Sequence, residues 1–287
     1  MKKIAILALV LISIAANAQQ KIDLSVKQVN DRRTSGQFFN ELAIGVELPK
    51  FKSAEVAASR VFITAATDDS GRDLRDPEAS EPQFEWNQRA TMKDAPPMPA
   101  MVTLKLENPN RKATKVKEVR GEIELYMPSK DPNSIAEIAK FSTMSGKALS
   151  HKALKANGVE ITMVSEAQAE AERKRRAEAK KKEYAEMGYE GEALADMVKS
   201  LMQGVLGVEE SDLLVKIKDP NKRIQEISYV DAAGEVKMVS MHQDEGDFYI
   251  LSTWGGKPQA DWKMKVSMKT PKSMARYQFA LSDVPLP

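Results

Sequence analysis

The chain has 287 residues, 42% apolar and 29% charged, with a mean hydropathy of −0.42, which allows about two ordinary globular domains and excludes a disordered or fibrous chain. Lys and Arg number 43, Asp and Glu 41, and there is no Cys. A disulfide, a thiolate nucleophile or metal ligand and a cysteine-linked lipid anchor are therefore excluded.

The first element is Lys2 and Lys3 followed by an apolar run from Ile4 to Ala16 and the small-residue site Ala16-Asn17-Ala18. That pattern predicts a signal peptide over 1–18, cleaved after Ala18, and hence a periplasmic or secreted protein. The run is shorter than the roughly 20 residues that a spanning helix needs. Cleavage takes two lysines and no acid, so the mature chain carries 41 bases against 41 acids and is formally neutral. No global basic field is left for nucleic acid or anionic lipid. No later apolar run reaches spanning length, so the mature chain is expected to have no transmembrane segment.

From Ile22 onward apolar residues recur at every second position, the pattern of strands with one face on a core. In the first half these are Ile22, Leu24, Val26; Leu42, Ile44, Val46, Leu48; Val102, Leu104, Leu106; and Ile123, Leu125, Met127. In the second half they are Val159, Ile161, Met163; Leu213, Val215, Ile217; Trp262, Met264, Val266, Met268; and Tyr277, Phe279, Leu281. Short alternating runs separated by turns predict an all-β chain of two tandem antiparallel immunoglobulin-like β-sandwiches, 19–132 and 133–287. The turn-rich stretch 128–134 (PSKDPNS) is the expected boundary, with 135–141 free to pair back onto the first sheet.

A faint internal repeat supports two copies of one unit. LAIGVELP at 42–49 matches LLVKIKDP at 213–220 in alternation and closing proline. Each is followed by a strand ending in an acidic turn, TDDSG at 67–71 and VDAAG at 230–234. The glycine supplies the positive φ such turns use. The strands ending LKLENP at 104–109 and VSMKTP at 266–271 then follow at similar spacing.

One stretch, 165–206, changes to strong helix formers. Ser165 with Gln168 predicts a capping box, Gly188 and Gly191 a turn, and the two helices are expected over 166–187 and 192–206. The first is charged, with Glu170/Lys174, Glu172/Arg176 and Glu178/Lys182 at i, i+4. The second presents Leu194, Met197, Val198, Leu201, Met202 and Val205 on one face, a stripe that the first helix's narrow apolar face is not expected to cover. In repeat terms this hairpin replaces the short loop near 30–36 of the first half.

Chemistry-bearing motifs are sparse. His151 and His242 lie in different segments and read as structural or surface residues. There is no GxSxG elbow, P-loop, HExxH or dinucleotide fingerprint, and no cofactor is expected. Asp68, Asp69 and Asp73 in the first acidic turn are weak calcium candidates, and 244–247 weaker still, because neither has EF-hand spacing. Trp86, Trp254 and Tyr249 are the candidate ligand-binding aromatics, as a sugar-binding sandwich stacks flat rings on pyranose faces. The basic stretches 111–120 and 173–176 read as a solvated edge and a charge-balanced helix face. Together these features favour a non-enzymatic binding or structural protein of the envelope. The helical stripe is its contact element toward a protein, an envelope component or a second copy. Carbohydrate binding through the loop aromatics is the alternative, and a hydrolase using paired carboxylates the remaining one.

Overall fold

The structure is a computed structural model describing residues 20–34, 40–78, 80–87, 98–202, 205–207, 209, 211–253 and 256–287. The expected signal peptide lies outside the described residues. Among the described residues strands dominate and fall into several sheets, with three α-helices between them.

The first core lies between two sheets. One is β2 (Ser25–Arg32), β3 (Glu41–Lys52) and β6 (Pro99–Leu106), in the order β2-β3-β6. The other is β1 (Gln20–Lys21), β15 (Met274–Pro285), β7 (Lys115–Tyr126), β4 (Ala58–Asp68) and β5 (Glu85–Trp86), in the order β1-β15-β7-β4-β5. The alternation read from the sequence sets the facing: Leu42, Ile44, Val46 and Leu48 of β3 are fully buried against Ile123 and Leu125 of β7 in one cluster. Every strand pair here is antiparallel except β1 with β15.

The second core is wrapped by a single seven-stranded sheet. It runs β8 (Ile135–Ala139), β14 (Lys263–Met268), β11 (Ile224–Val230), β12 (Val236–Gln243), β13 (Phe248–Thr253), β10 (Leu213–Lys218) and β9 (Glu160–Met163). This sheet folds over into two leaves because β12 changes partner midway: Val236 to Met238 pair with β11, and Val239 to Gln243 with β13. Residues of both leaves meet inside, Met264 and Val266 from one and Val215 and Ile217 from the other, around Tyr229 stacked on Phe141 at 4.8 Å.

The two cores share a wiring plan. β9-β10-β13 is arranged as β2-β3-β6, and β8-β14-β11-β12 as β15-β7-β4-β5. The acidic turns after β4 and β11 are superposable in their bonds. Asp68 Oδ1 accepts from the N–H of Ser70 and Arg72, Asp231 Oδ1 from those of Ala233 and Glu235, and Gly71 and Gly234 sit at φ +87° and +84°. The third element of the sequence repeat is misaligned by one strand: β6 corresponds to β13, and β14 to β7.

Wiring departs from chain order in one respect, which corrects the expected boundaries. The last strand of the chain, β15, completes the first core, and Phe279, Leu281 and Val284 are buried there; β8, next after β7, completes the second core instead. The segment 133–287 is therefore not one self-contained sandwich, and it is 274–285 rather than 135–141 that returns to the first sheet. Strand length gives the reason. β7 and β15 have 12 residues each, whereas β14 and β8 have six and five. Pairing neighbours in sequence would leave half of each long strand without ladder partners, a costly exposure of backbone groups.

The two exchanging links, 127–134 and 269–273, run side by side and are pinned by buried hydrogen bonds. Met127 N–H donates to Ser273 O (2.7 Å) and Met268 N–H to Ser134 O (2.7 Å). The Tyr126 hydroxyl donates to Ser134 O and Met268 O (both 3.2 Å), and Thr270 Oγ1 donates to Asp131 Oδ2 (2.7 Å). Burial pushes the Tyr126 phenol up, and hydrogen bonds from Asn133 and Thr270 hold the Asp131 carboxyl below its ordinary value.

Candidate functional site

The β9–β10 connection carries α2 (Glu166–Glu186) and α3 (Gly191–Met202), where the equivalent β2–β3 connection is only 33–40. The hairpin thus stands where the repeat placed it. Its first helix starts at the expected capping box, with Ser165 Oγ accepting from Gln168 N–H (3.2 Å) and Gln168 Oε1 accepting from Ser165 N–H (3.0 Å).

The hairpin sits on the outer face of the second core's sheet. β10 turns Leu213, Val215 and Ile217 inward, and Leu214 outward into a small cluster with Ala169 of α2 and Leu206, flanked by Phe248 and Ile250. A charged residue secures this apolar seat. Arg176, only 7% exposed, bonds Glu172 (3.0 Å), Asp244 (2.6 Å) and the Glu245 carbonyl (3.1 Å), with its guanidinium 5.2 Å over the Phe248 ring. A buried guanidinium is tolerated only with its donors filled, and here one helix residue and the β12–β13 turn fill them. Glu172 is lowered to about 2, chiefly by the hydrogen bond from Arg175, against partial desolvation and with help from Arg176.

The stripe on α3 is mostly consumed within the chain. Leu194 is buried, Met197, Val198 and Met202 are half-buried, and Leu201 stays exposed, at 45%; α3 ends at Met202 rather than at the expected 206, so Val205, half-buried, lies in a turn beyond the helix. The expected uncovered stripe is therefore a smaller feature than periodicity suggested, because α2 and the sheet flank share the work of covering it. Further apolar surface lies at the free end of the hairpin. Met187 is 63% and Tyr189 41% exposed beside the turn at Gly188 and Gly191, whose φ values are +93° and +62°. Tyr189 packs edge-on against Tyr184 at 5.8 Å.

Comparison with known proteins finds no family, no curated protein and no solved structure that matches this chain. The site is accordingly read from its own residues.

The remaining sequence candidates do not converge. Asp68 is buried and its oxygens accept from Ser70, Arg72 and Asn110; Asp69 accepts from Thr114; Asp73 is forked on Arg75. Each is committed to its turn, and among the described residues no three His, Asp or Glu side chains group to hold a metal. Asp73 is lowered to about 2 by its hydrogen bonds from Arg75. In the second acidic turn Asp244 serves Arg176. Trp86 is half-buried and perpendicular to Tyr126 at 5.9 Å, and Tyr249 is half-buried against the second core, so the two belong to different cores. Trp254 lies outside the described residues. His151 caps the six-residue helix α1 (Lys152–Asn157), its Nδ1 accepting from Ala153 N–H (3.1 Å), and His242 is exposed on β12. No helix is long and apolar enough to cross a membrane among the described residues.

Arg176 is the site residue that sequence reasoning missed. It was legible as an i, i+4 partner of Glu172, but its other anchors lie 68 and 69 positions away, where helical spacing carries no information.

Proposed function

We propose that this chain is an exported, non-enzymatic binding or structural protein of the bacterial envelope. It is built from two immunoglobulin-like sandwiches with exchanged last strands, and its helical hairpin contacts a partner. The carrying observation is that the hairpin is held firmly at its base, by Arg176 and the Ala169–Leu214 cluster, while Met187 and Tyr189 face solvent at its free end and Leu201 on the returning helix α3. A rigidly seated element offering exposed apolar and aromatic side chains is the usual composition of an interface core. The lysine-flanked leader and small-residue site support export.

A photo-crosslinking residue at Leu201 in cells tests this. The expected result is one discrete adduct, lost when Met187→Glu and Tyr189→Glu are introduced and absent when the crosslinker is placed at Lys117 on the first sandwich. No adduct at Leu201, or equal adducts at both positions, would overturn the reading, and fractionation of the same cells tests export.

A further inference from the structure

The two cores differ where their sheets join, and the difference leaves a slot. In the second core the stretch after the acidic turn is β12, which bonds first to β11 and then crosses to β13, sealing the sandwich along that edge. In the first core the same turn is followed by a single bridge, Thr67 with Asp73, and by Leu74, whose N–H donates to Ala66 O (2.9 Å) and whose carbonyl accepts from Glu107 N–H (2.8 Å). The crossing is made by one residue and then abandoned. Beyond it the equivalent strand, β5, pairs with β4 at only Ala58 and Ser59 and forms no strand pairing with β6, which it meets only through the Glu85–Lys105 ion pair.

Between β4, β6 and the loop 73–85 lies a cleft of about 1200 Å³, lined in part by Val61, Ile63, Val102 and Leu106. Among the described residues β6 is the outer strand of its sheet. The outward Glu107 N–H fixes which of its backbone groups face the cleft: every second residue back, Lys105 and Thr103, turns its N–H and C=O the same way. The charge of the wall is one-sided. Its three bases, Arg60, Arg75 and Lys105, are each ion-paired to a wall acid. Four further acids, Glu41, Asp76, Glu78 and Glu107, line the cleft with no salt bridge among the described residues.

We infer that this cleft receives an extended basic peptide as the strand the first core lacks, laid antiparallel on β6 as β12 lies on β13. Main-chain bonds to Thr103 and Lys105 give the affinity, alternate apolar side chains enter the sandwich mouth, and lysine or arginine on the other face meets the acidic wall. The helical hairpin plays no part in this site.

The probe is a synthetic eight-residue peptide alternating lysine with valine, titrated into the full chain, with the glutamate–valine peptide as control. Expected are saturable binding, protection of the Thr103 and Lys105 amides from hydrogen exchange, and at least about tenfold weaker binding of the control. Thr103→Pro removes an outward donor without touching the β3 ladder and abolishes binding. The double variant Asp76→Lys, Glu78→Lys, on exposed loop positions, weakens it by about tenfold or more at an unchanged melting temperature. Absence of saturable binding, equal binding of the two peptides, or indifference to the charge reversal overturns the proposal. So does full protection of the Thr103 and Lys105 amides before peptide is added, since the chain's own segment 88–97 or a second copy would then occupy the edge.

Discussion

The two sandwiches leave the same acidic turn and then part company. After Gly234 the chain reads EVKMVSMHQ, a run with four apolar residues and no proline, and it zips both leaves of the second core together; after Gly71 it reads RDLRDPEAS, with one large apolar residue, the fully buried Leu74, and Pro77 four positions before Glu81. A strand that must bond on both sides needs a donor at every second position and an apolar residue on its core face, and between Leu74 and Phe84 the first copy has no large apolar side chain and loses donors at Pro77 and Pro82. The lesson is that closure of the sheet edge is a local property of some eight residues, while the cores themselves are specified elsewhere. That separation is what lets one copy stay sealed and the other open.

The sharpest way to break the comparison is to attack the exchanged strands, because chain order and wiring predict opposite results. Removing 274–287 takes β15 from between β1 and β7 and strips Phe279, Leu281 and Val284 from the first core. Hydrogen exchange is expected to show β4 and β7 unprotected while β10, β11 and β14 keep their protection. The point variant Phe279→Ala should cost about 3–5 kcal/mol, the range for a buried aromatic truncation, with the loss again confined to the first core. Loss of protection in β14 instead would mean that the C-terminal strand belongs to the nearer sandwich.

Next in size is the crossing itself. Thr270→Val leaves Asp131 Oδ2 without the buried hydroxyl 2.7 Å away and is expected to cost about 1–3 kcal/mol. Because the links of both strands are bonded to one another there, denaturation followed by separate probes in each core should show both midpoints falling together. A shift in one core only would show that the crossing does not couple them.

Much of this was legible in the sequence, and the exceptions share a cause. The alternation of 42–48, 102–106 and 213–217 gave strand faces correctly, and Ser165 with Gln168 marked a helix start, because in each case the informative residues are neighbours. Periodicity says which face of a strand is buried but not which strand lies beside it. The exchange of β8 and β15 was therefore invisible, and the misaligned third element of the repeat follows from it. For the candidate site, the hairpin and its stripe were readable, whereas the seat of Arg176 depends on a turn far along the chain. The cleft depends on what β5 fails to do, and an unmade pairing leaves no positive signal in composition.

A gentler test asks whether the two turns are energetically as alike as their bonds. Gly71 and Gly234 both lie at positive φ, and a Cβ added at either would have nothing within 4 Å, so an alanine there meets backbone strain alone. Gly71→Ala and Gly234→Ala should each cost about 1–2 kcal/mol in thermal unfolding, equal within a few tenths. A markedly larger cost at Gly234 would locate in this turn, rather than in the run that follows it, the reason why only the second copy is sealed.

The smallest expected effect concerns the helical hairpin of the second core. Glu172 ionises well below its ordinary value because Arg175 and Arg176 hold its charged form. A carboxyl with a depressed folded pKa contributes stability that is present above the unfolded value near 4.5 and lost as pH falls toward about 2. Glu172→Gln should therefore loosen the hairpin at pH 7 by no more than about 1 kcal/mol, read as faster exchange of the α2 amides, and the difference from the unmodified chain should vanish by roughly pH 2. The substituted residue belongs to a hairpin seated on the second core alone, so the first core's exchange rates should not respond to the substitution at any pH. A response there would mean that the hairpin is coupled through the second core to the exchanged strands, and the two sandwiches would then have to be treated as one cooperative body.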